Sequence, residues 1–150
     1  MNTLTVKAGN VTIGGESHHV ALPIAITSPI VLGEGKLRII VGTSVTNIVS
    51  GPISGVGGIE VSGNNSGIGK LTQIQNGNNA WTSALVLSGN NSYSGGTSAH
   101  NVFLRGDSVS AFGAEGASVT FSGDASVSLN ASGKWRGYAF RIGKPANAGR

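Results

Sequence analysis

Short runs in which apolar and polar residues alternate recur along most of the chain, and most of them end in Gly, Asn, Ser or Asp. Leu85 and Leu87 illustrate the pattern, because successive side chains of a strand point to opposite faces and these two would share one face. Gly89, Asn90 and Asn91 follow them and tolerate the left-handed backbone of a turn. Apolar residues do not recur at every third and fourth position, so the pattern predicts strands and turns rather than helices.

This alternation predicts an all-β chain. Residues 3–13 alternate Leu4, Val6 and Ala8 with polar partners, which predicts two short strands. Residues 18–26 are interpreted as an edge or capping segment, because Pro23 and the nearby Pro29 cannot donate a ladder hydrogen bond. Eight further strands are predicted at residues 36–41, 45–49, 58–61, 71–75, 84–87, 102–105, 118–121 and 126–129.

One pentapeptide, Ser-Gly-Asn-Asn-Ser, occurs at residues 62–66 and again at 88–92. This offset suits one coil of a solenoid, and self-similarity at a fixed period is the signature of stacked repeats. Stacking would bring Asn64 and Asn65 over Asn90 and Asn91, where amide side chains can hydrogen-bond along the stack. Because the repeat has two copies only, an antiparallel β-sandwich stays open as the alternative fold.

Residues 87–97 carry the most specific motif, Leu-x-Gly-x-Asn-x-Tyr-x-Gly-Gly-Thr. This motif resembles the passenger-associated repeat of autotransporters, which are parallel β-helix adhesins of bacterial outer surfaces. The resemblance is position by position from Leu87 to Thr97 and looser over residues 48–59 and 102–116. It implies a short right-handed parallel β-helix and a role in surface adhesion.

The chain has 150 residues, enough for one domain with a core of its own. We expect an atypical capping part at residues 1–35, solenoid coils at 36–133, and an aromatic, basic strand with its tail at 134–150. The 25 glycines and few charges are typical of a turn-rich β protein, and the absence of cysteine excludes disulfides. Five of the ten basic residues lie in the last part, where a solubilising end is the preferred interpretation.

The last predicted strand concentrates three of the eight aromatic residues between positions 135 and 142. Aromatic residues and arginine are enriched at the centres of interfaces. A terminal cap over the solenoid is the equal alternative, because a solenoid must cover its open strand edges. The candidate interface residues are Trp135, Arg136, Tyr138, Phe140, Arg141 and Ile142.

The acidic residues and histidines offer little catalytic chemistry. Only Glu34 and Glu60 have an offset that could stack into the carboxylate pair of a sugar-cleaving enzyme, and their like charges would repel. His18 and His19 are adjacent and would face opposite sides of a strand, so they cannot share a metal ion. We therefore expect no catalytic residues, no metal site and no cofactor.

The leading functional hypothesis is a non-enzymatic structural or adhesive module that self-associates, as a decoration, fibre or tail protein of a virion does. Residues 1–7 lack the pattern of a secretory signal, and no apolar run approaches the roughly 20 residues of a membrane span. We expect a location in a virion or outside the cell, without membrane insertion.

The expected partners are further copies of the chain or other structural proteins of a larger assembly. A surface glycan is a further candidate, and nucleic acid is not expected. Two alternative functions stay open. One is a fragment of an autotransporter-like bacterial surface adhesin, and the other is a polysaccharide-active β-helix enzyme.

Overall fold

The computed structural model describes residues 2–14, 23–42, 45–63, 83–123, 125–133 and 136–142. Within these ranges the chain forms short strands and no helix. The strands are β1 (Leu4–Val6), β2 (Asn10–Gly14), β3 (Ala25–Ile26), β4 (Ile30–Leu32), β5 (Lys36–Ile40), β6 (Thr46–Val49), β7 (Ile53–Gly55), β8 (Gly58–Ser62), β9 (Ala84–Leu87), β10 (Thr97–His100), β11 (Phe103–Gly106), β12 (Ser118–Ser122), β13 (Ser126–Leu129) and β14 (Ala139–Ile142).

All pairings between these strands are parallel. Sheet A has the order β1-β4-β7, sheet B has β2-β5-β8-β10-β12-β14, and sheet C has β3-β6-β9-β11-β13. Strands that follow one another in the chain lie in different sheets, and each sheet adds one strand per turn, with sheet A ending at β7 among the described strands. The fold is a parallel β-solenoid of about five turns, as predicted, and the antiparallel sandwich is excluded.

The seven strands predicted between residues 36 and 129 that fall within the described residues are confirmed, with bounds that agree to within one residue. The C-terminal strand expected at 135–142 is shorter and begins at Ala139. The strand expected at 71–75 lies outside the described residues, as do His18 and His19. The strands β7 and β10 were not predicted, β7 because Gly51, Pro52 and Gly55 mark a turn-rich stretch and β10 because Thr-Ser-Ala-His has no large apolar residue. The strand β10 nevertheless alternates, with Thr97 and Ala99 buried and Ser98 and His100 exposed.

The first 35 residues supply β1 to β4. The strands β1, β2 and β3 are the first strands of the three sheets, and β4 stacks on β1 in register, with Leu4 opposite Ile30.

The core consists of inward-facing side chains that stack in columns along the solenoid axis. Most of these side chains are fully buried, and the burial of an aliphatic side chain stabilises the fold by about 1.5–3 kcal/mol. The two columns under sheet B are Leu37, Ile59, Thr97 and Val119, and beside them Ile39, Val61, Ala99 and Phe121.

The corner after β9 is built differently from the sequence expectation. Leu85 and Leu87 share the buried face, as predicted. However, neither Gly89, Asn90 nor Asn91 has a positive φ, so the expected left-handed turn is wrong. Gly89 is needed instead for close approach, since a Cβ there would lie 2.4 Å from the carbonyl oxygen of Gly51 in the preceding turn.

The two Ser-Gly-Asn-Asn-Ser copies begin at different corners. Ser62 ends β8 in sheet B and is in register with His100, whereas Ser88 follows β9 in sheet C and donates its backbone N–H to Val49 at 3.0 Å. The strands β8 and β9 belong to the same turn, so the 26-residue offset is not the coil period here. Asn64 and Asn65 lie outside the described residues, and their position relative to Asn90 and Asn91 stays a prediction.

Candidate interaction surfaces

The C-terminal end of the solenoid leaves two strand edges open among the described residues. The strands β13 and β14 are the last strands of sheets C and B and pair on one side only. Ala139 donates its N–H back to Ala117 at 3.1 Å. Because alternate residues of a strand direct their backbone groups to opposite sides, Phe140 and Ile142 direct theirs toward the open edge. Such an edge is a template for pairing with another chain.

Apolar side chains of the core are exposed at this end. Phe140 stacks on Val119 and Ile142 on Phe121, so both continue the inner columns of sheet B. Phe140 is 43% and Ile142 80% exposed, and Leu129 of β13 is 45% exposed. We call Leu129, Phe140 and Ile142 the C-terminal end surface.

Tyr138 fixes this last turn to the one before it. Its ring centroid lies 5.6 Å from that of Phe112 and 6.2 Å from that of Phe140. Its hydroxyl donates to the carbonyl of Gly113 at 3.0 Å and accepts the backbone N–H of Phe112 at 3.3 Å. Burial raises the pKa of Tyr138. Tyr138 is therefore an internal anchor that orders the end, while the exposed apolar surface belongs to its neighbours.

The remaining predicted interface residues occupy different places. Arg136 donates from Nη1 to the carbonyl of Gly113 at 3.2 Å and so also binds the preceding turn. Arg141 is exposed on the outer face of sheet B, in register with Thr120. Trp135 lies outside the described residues. The structure thus brings Phe140 and Ile142 to the end of the solenoid but places Arg141 on its side.

Asn91 is a structural residue of the corner and is fully buried. Its Oδ1 accepts the backbone N–H of Ile53 at 2.8 Å, and its Nδ2 donates to the carbonyl of Ala111 at 2.7 Å. It therefore hydrogen-bonds to the turns on both sides through their backbone groups. Asn90 is exposed and accepts from the hydroxyl of Ser110 at 2.5 Å.

The carboxylate pair considered from the sequence does not form. Glu60 is in register with Arg38, and its two carboxylate oxygens lie 3.1 Å from Lys36 Nζ and 3.2 Å from Arg38 Nε. Glu34 lies at the corner before β5, where its backbone N–H donates to Lys7 at 3.0 Å. The register between β5 and β8 places basic residues, not a second acid, beside Glu60.

Sequence reasoning missed a groove on the outer face of sheet B. The groove has a volume of about 360 Å³. His100 Nδ1 lies 2.9 Å from Ser122 Oγ within it. No sequence motif predicts this site, because its residues come from four strands and become neighbours only through the strand register. We call it the sheet B groove, and its lining residues are Arg38, Glu60, Val61, Ser62, Ser98, Ala99, His100, Thr120 and Ser122.

In the described ranges, no group of three or more histidine, cysteine, aspartate or glutamate residues could hold a metal ion. In the same ranges no helix is long and apolar enough to cross a membrane.

No protein-family model, curated protein or solved structure matches the chain. The β-solenoid therefore rests on the strand register, and the resemblance to the passenger-associated repeat stays a prediction.

Proposed function

We propose that the chain is a non-enzymatic structural module that self-associates through its C-terminal end surface, as a decoration, fibre or tail component of a virion does. The observation that carries the proposal is the combination of two open strand edges with three exposed core side chains, Leu129, Phe140 and Ile142. Glu60 forms ion pairs with Lys36 and Arg38 and has no second carboxylate beside it, which supports a role without sugar cleavage.

A second copy of the chain fits this surface for a physical reason. The exposed side chains are the next members of columns that are buried in the middle turns, so a further layer of apolar side chains would cover them. Burial of one such side chain stabilises by about 1.5–3 kcal/mol. The open edge would also gain backbone hydrogen bonds. Two C-terminal ends facing each other would close as a twofold dimer, whereas head-to-tail stacking would grow a fibre.

The two ends of the solenoid support the choice of the C-terminal one. In the first turn, Val6 of β1 is buried and Val11 of β2 is 37% exposed. In the last turn, Ile142 is exposed to more than twice that fraction. Among the described residues of the two ends, the larger exposed apolar surface therefore lies at the C-terminal end.

The test is the solution mass of the protein, measured by light scattering over a concentration series. Ile142→Asp should shift the mass toward the monomer, because a carboxylate would be buried in the contact. Val56→Asp is the matched control, since Val56 is 64% exposed on the corner after β7, away from the end. A monomeric wild-type protein at every concentration, or equal effects of the two variants, would refute the proposal.

An adhesive role is the second candidate function. The sheet B groove favours it, because a polar groove on the side of the solenoid stays open when the ends are occupied.

A further inference from the structure

The floor of the sheet B groove is a lattice of short hydroxyl side chains. Ser98, Thr120 and Ser122 stand on the outer face, because their strand neighbours Ala99 and Val119 face the core. Neighbouring strands of a sheet lie about 4.8 Å apart. The hydroxyl groups therefore form rows that run along the solenoid axis, and short side chains leave the space of the groove above them.

Positive charge flanks this floor on both sides. Arg38 and Lys36 share the single carboxylate of Glu60 at one side. Arg141, in register with Thr120, lies beyond the floor on the other side. Arg38 and Glu60 are partly exposed, and an exposed ion pair contributes only about 0–1 kcal/mol, so a ligand can take over the guanidinium at little cost.

We propose that the sheet B groove binds a short segment of an acidic glycan that runs along the solenoid axis. The guanidinium groups of Arg38 and Arg141 would bind carboxylate or sulfate groups of the sugar, because guanidinium matches such groups with two parallel hydrogen bonds. Ser98, Thr120 and His100 would bind sugar hydroxyls. The strands that carry the two arginines are four strand spacings apart, about 19 Å, which is the length of a short oligosaccharide.

The composition of the groove favours this ligand over two others. None of the described residues that line it is Phe, Tyr or Trp, and His100 is the one ring among them. Single-stranded nucleic acid takes much of its affinity from stacking successive bases on several such side chains, and this lining offers it only the His100 ring and the Arg38 guanidinium. A neutral sugar would likewise have hydrogen bonds only, and each of these contributes little net free energy in exchange with water.

Binding of an oligogalacturonide, measured by isothermal titration calorimetry, tests the charge. A malto-oligosaccharide of the same length serves as the neutral control ligand. Arg38→Gln and Arg141→Gln should each weaken oligogalacturonide binding about fivefold to tenfold. Arg105→Gln is the matched control, because it removes the same charge from sheet C, where Arg105 pairs with Asp107 at 2.8 Å. It should leave the affinity within about twofold.

A variant whose side chain fills the sheet B groove tests whether the ligand binds there. Ser98→Tyr places a ring on the floor and should abolish binding, whereas Val31→Tyr adds the same ring to the outer face of sheet A and should not. Equal binding of the neutral ligand, an equal loss with Arg105→Gln, full binding by Ser98→Tyr, or no binding by the wild-type protein would each overturn the proposal. The affinity is also measured on Ile142→Asp, so that this result is independent of self-association.

Discussion

The middle and the C-terminal end of the solenoid follow the same sequence pattern but differ in exposure. Val119 and Phe140 are neighbours in one inner column, and Phe121 and Ile142 are neighbours in the next. Val119 is buried, whereas Phe140 is 43% exposed. The alternation of a strand decides which face a side chain takes, and the presence of a following turn decides whether it is covered. Within the residues that the structure describes, the C-terminal end is thus a part of the core that no further turn covers.

Truncation of a core side chain in the middle of the solenoid should have the largest effect. Leu104 is fully buried, and Leu104→Ala should lower the free energy of unfolding by about 2–5 kcal/mol. Ile142→Ala should cost less than about 1 kcal/mol in the dilute monomer, because most of that side chain is already in water. Urea unfolding measures both. A cost at Ile142 equal to that at Leu104 would show that the end is packed like the middle.

Loss of the buried side-chain amide of Asn91, at the corner after β9, should have the next largest effect on the free energy of unfolding. Asn91→Ala would leave the N–H of Ile53 and the carbonyl of Ala111 without this partner, and should cost about 2–3 kcal/mol. Asn90→Ala, at the exposed neighbouring asparagine, should cost less than about 1 kcal/mol. Thermal unfolding of the two variants compares them. If both cost the same, Asn91 does not connect the turns as described.

Alkaline pH should lower the free energy of unfolding, because Tyr93 in the middle of the solenoid is buried in its protonated form. Tyr93 is buried beside Thr97, with which its hydroxyl hydrogen-bonds, and burial raises its pKa above the usual value of 10.0. The folded chain therefore holds this proton at a pH where the unfolded chain releases it. The free energy of unfolding is therefore unaffected by this group below pH 10. Above pH 10 it falls, by up to about 1.4 kcal/mol per pH unit.

The matched variant for this pH dependence is Tyr93→Phe. It should flatten the fall in unfolding free energy above pH 10, because the group that titrates has been removed. Urea unfolding at several alkaline pH values measures the slope. An unchanged slope would assign the pH dependence to other groups, with Tyr138, whose pKa is also raised by burial, as the next to replace.

Much of the fold could be predicted from the sequence, because turn residues and alternating apolar positions mark most strands directly. The register could not. Equivalent residues are 22 apart between His100 and Ser122 but 38 apart between Ile53 and Asn91, since the chain between β8 and β9 is longer than the other connections. Glu60 follows its register partner Arg38 by 22 residues, so the 26-residue offset of the pentapeptide, whose copies begin at different corners, does not stack Glu34 on Glu60.

The C-terminal end surface and the sheet B groove could be predicted from the sequence to different degrees. The C-terminal strand with Phe140 and Ile142 was predicted from its aromatic and basic residues alone. The sheet B groove was not, because Arg38, Ser98 and Thr120 become neighbours only in the correct register. A site that is assembled across turns has no local signature in the chain.

Amide hydrogen exchange of β14 tests the central claim most directly. The N–H groups of Phe140 and Ile142 face the open edge, whereas that of Arg141 faces β12. If copies associate through this end, exchange at Phe140 and Ile142 should slow markedly between dilute and concentrated protein, with little change at Arg141. An assembly that forms while Phe140 and Ile142 exchange equally fast at both concentrations would contradict the account.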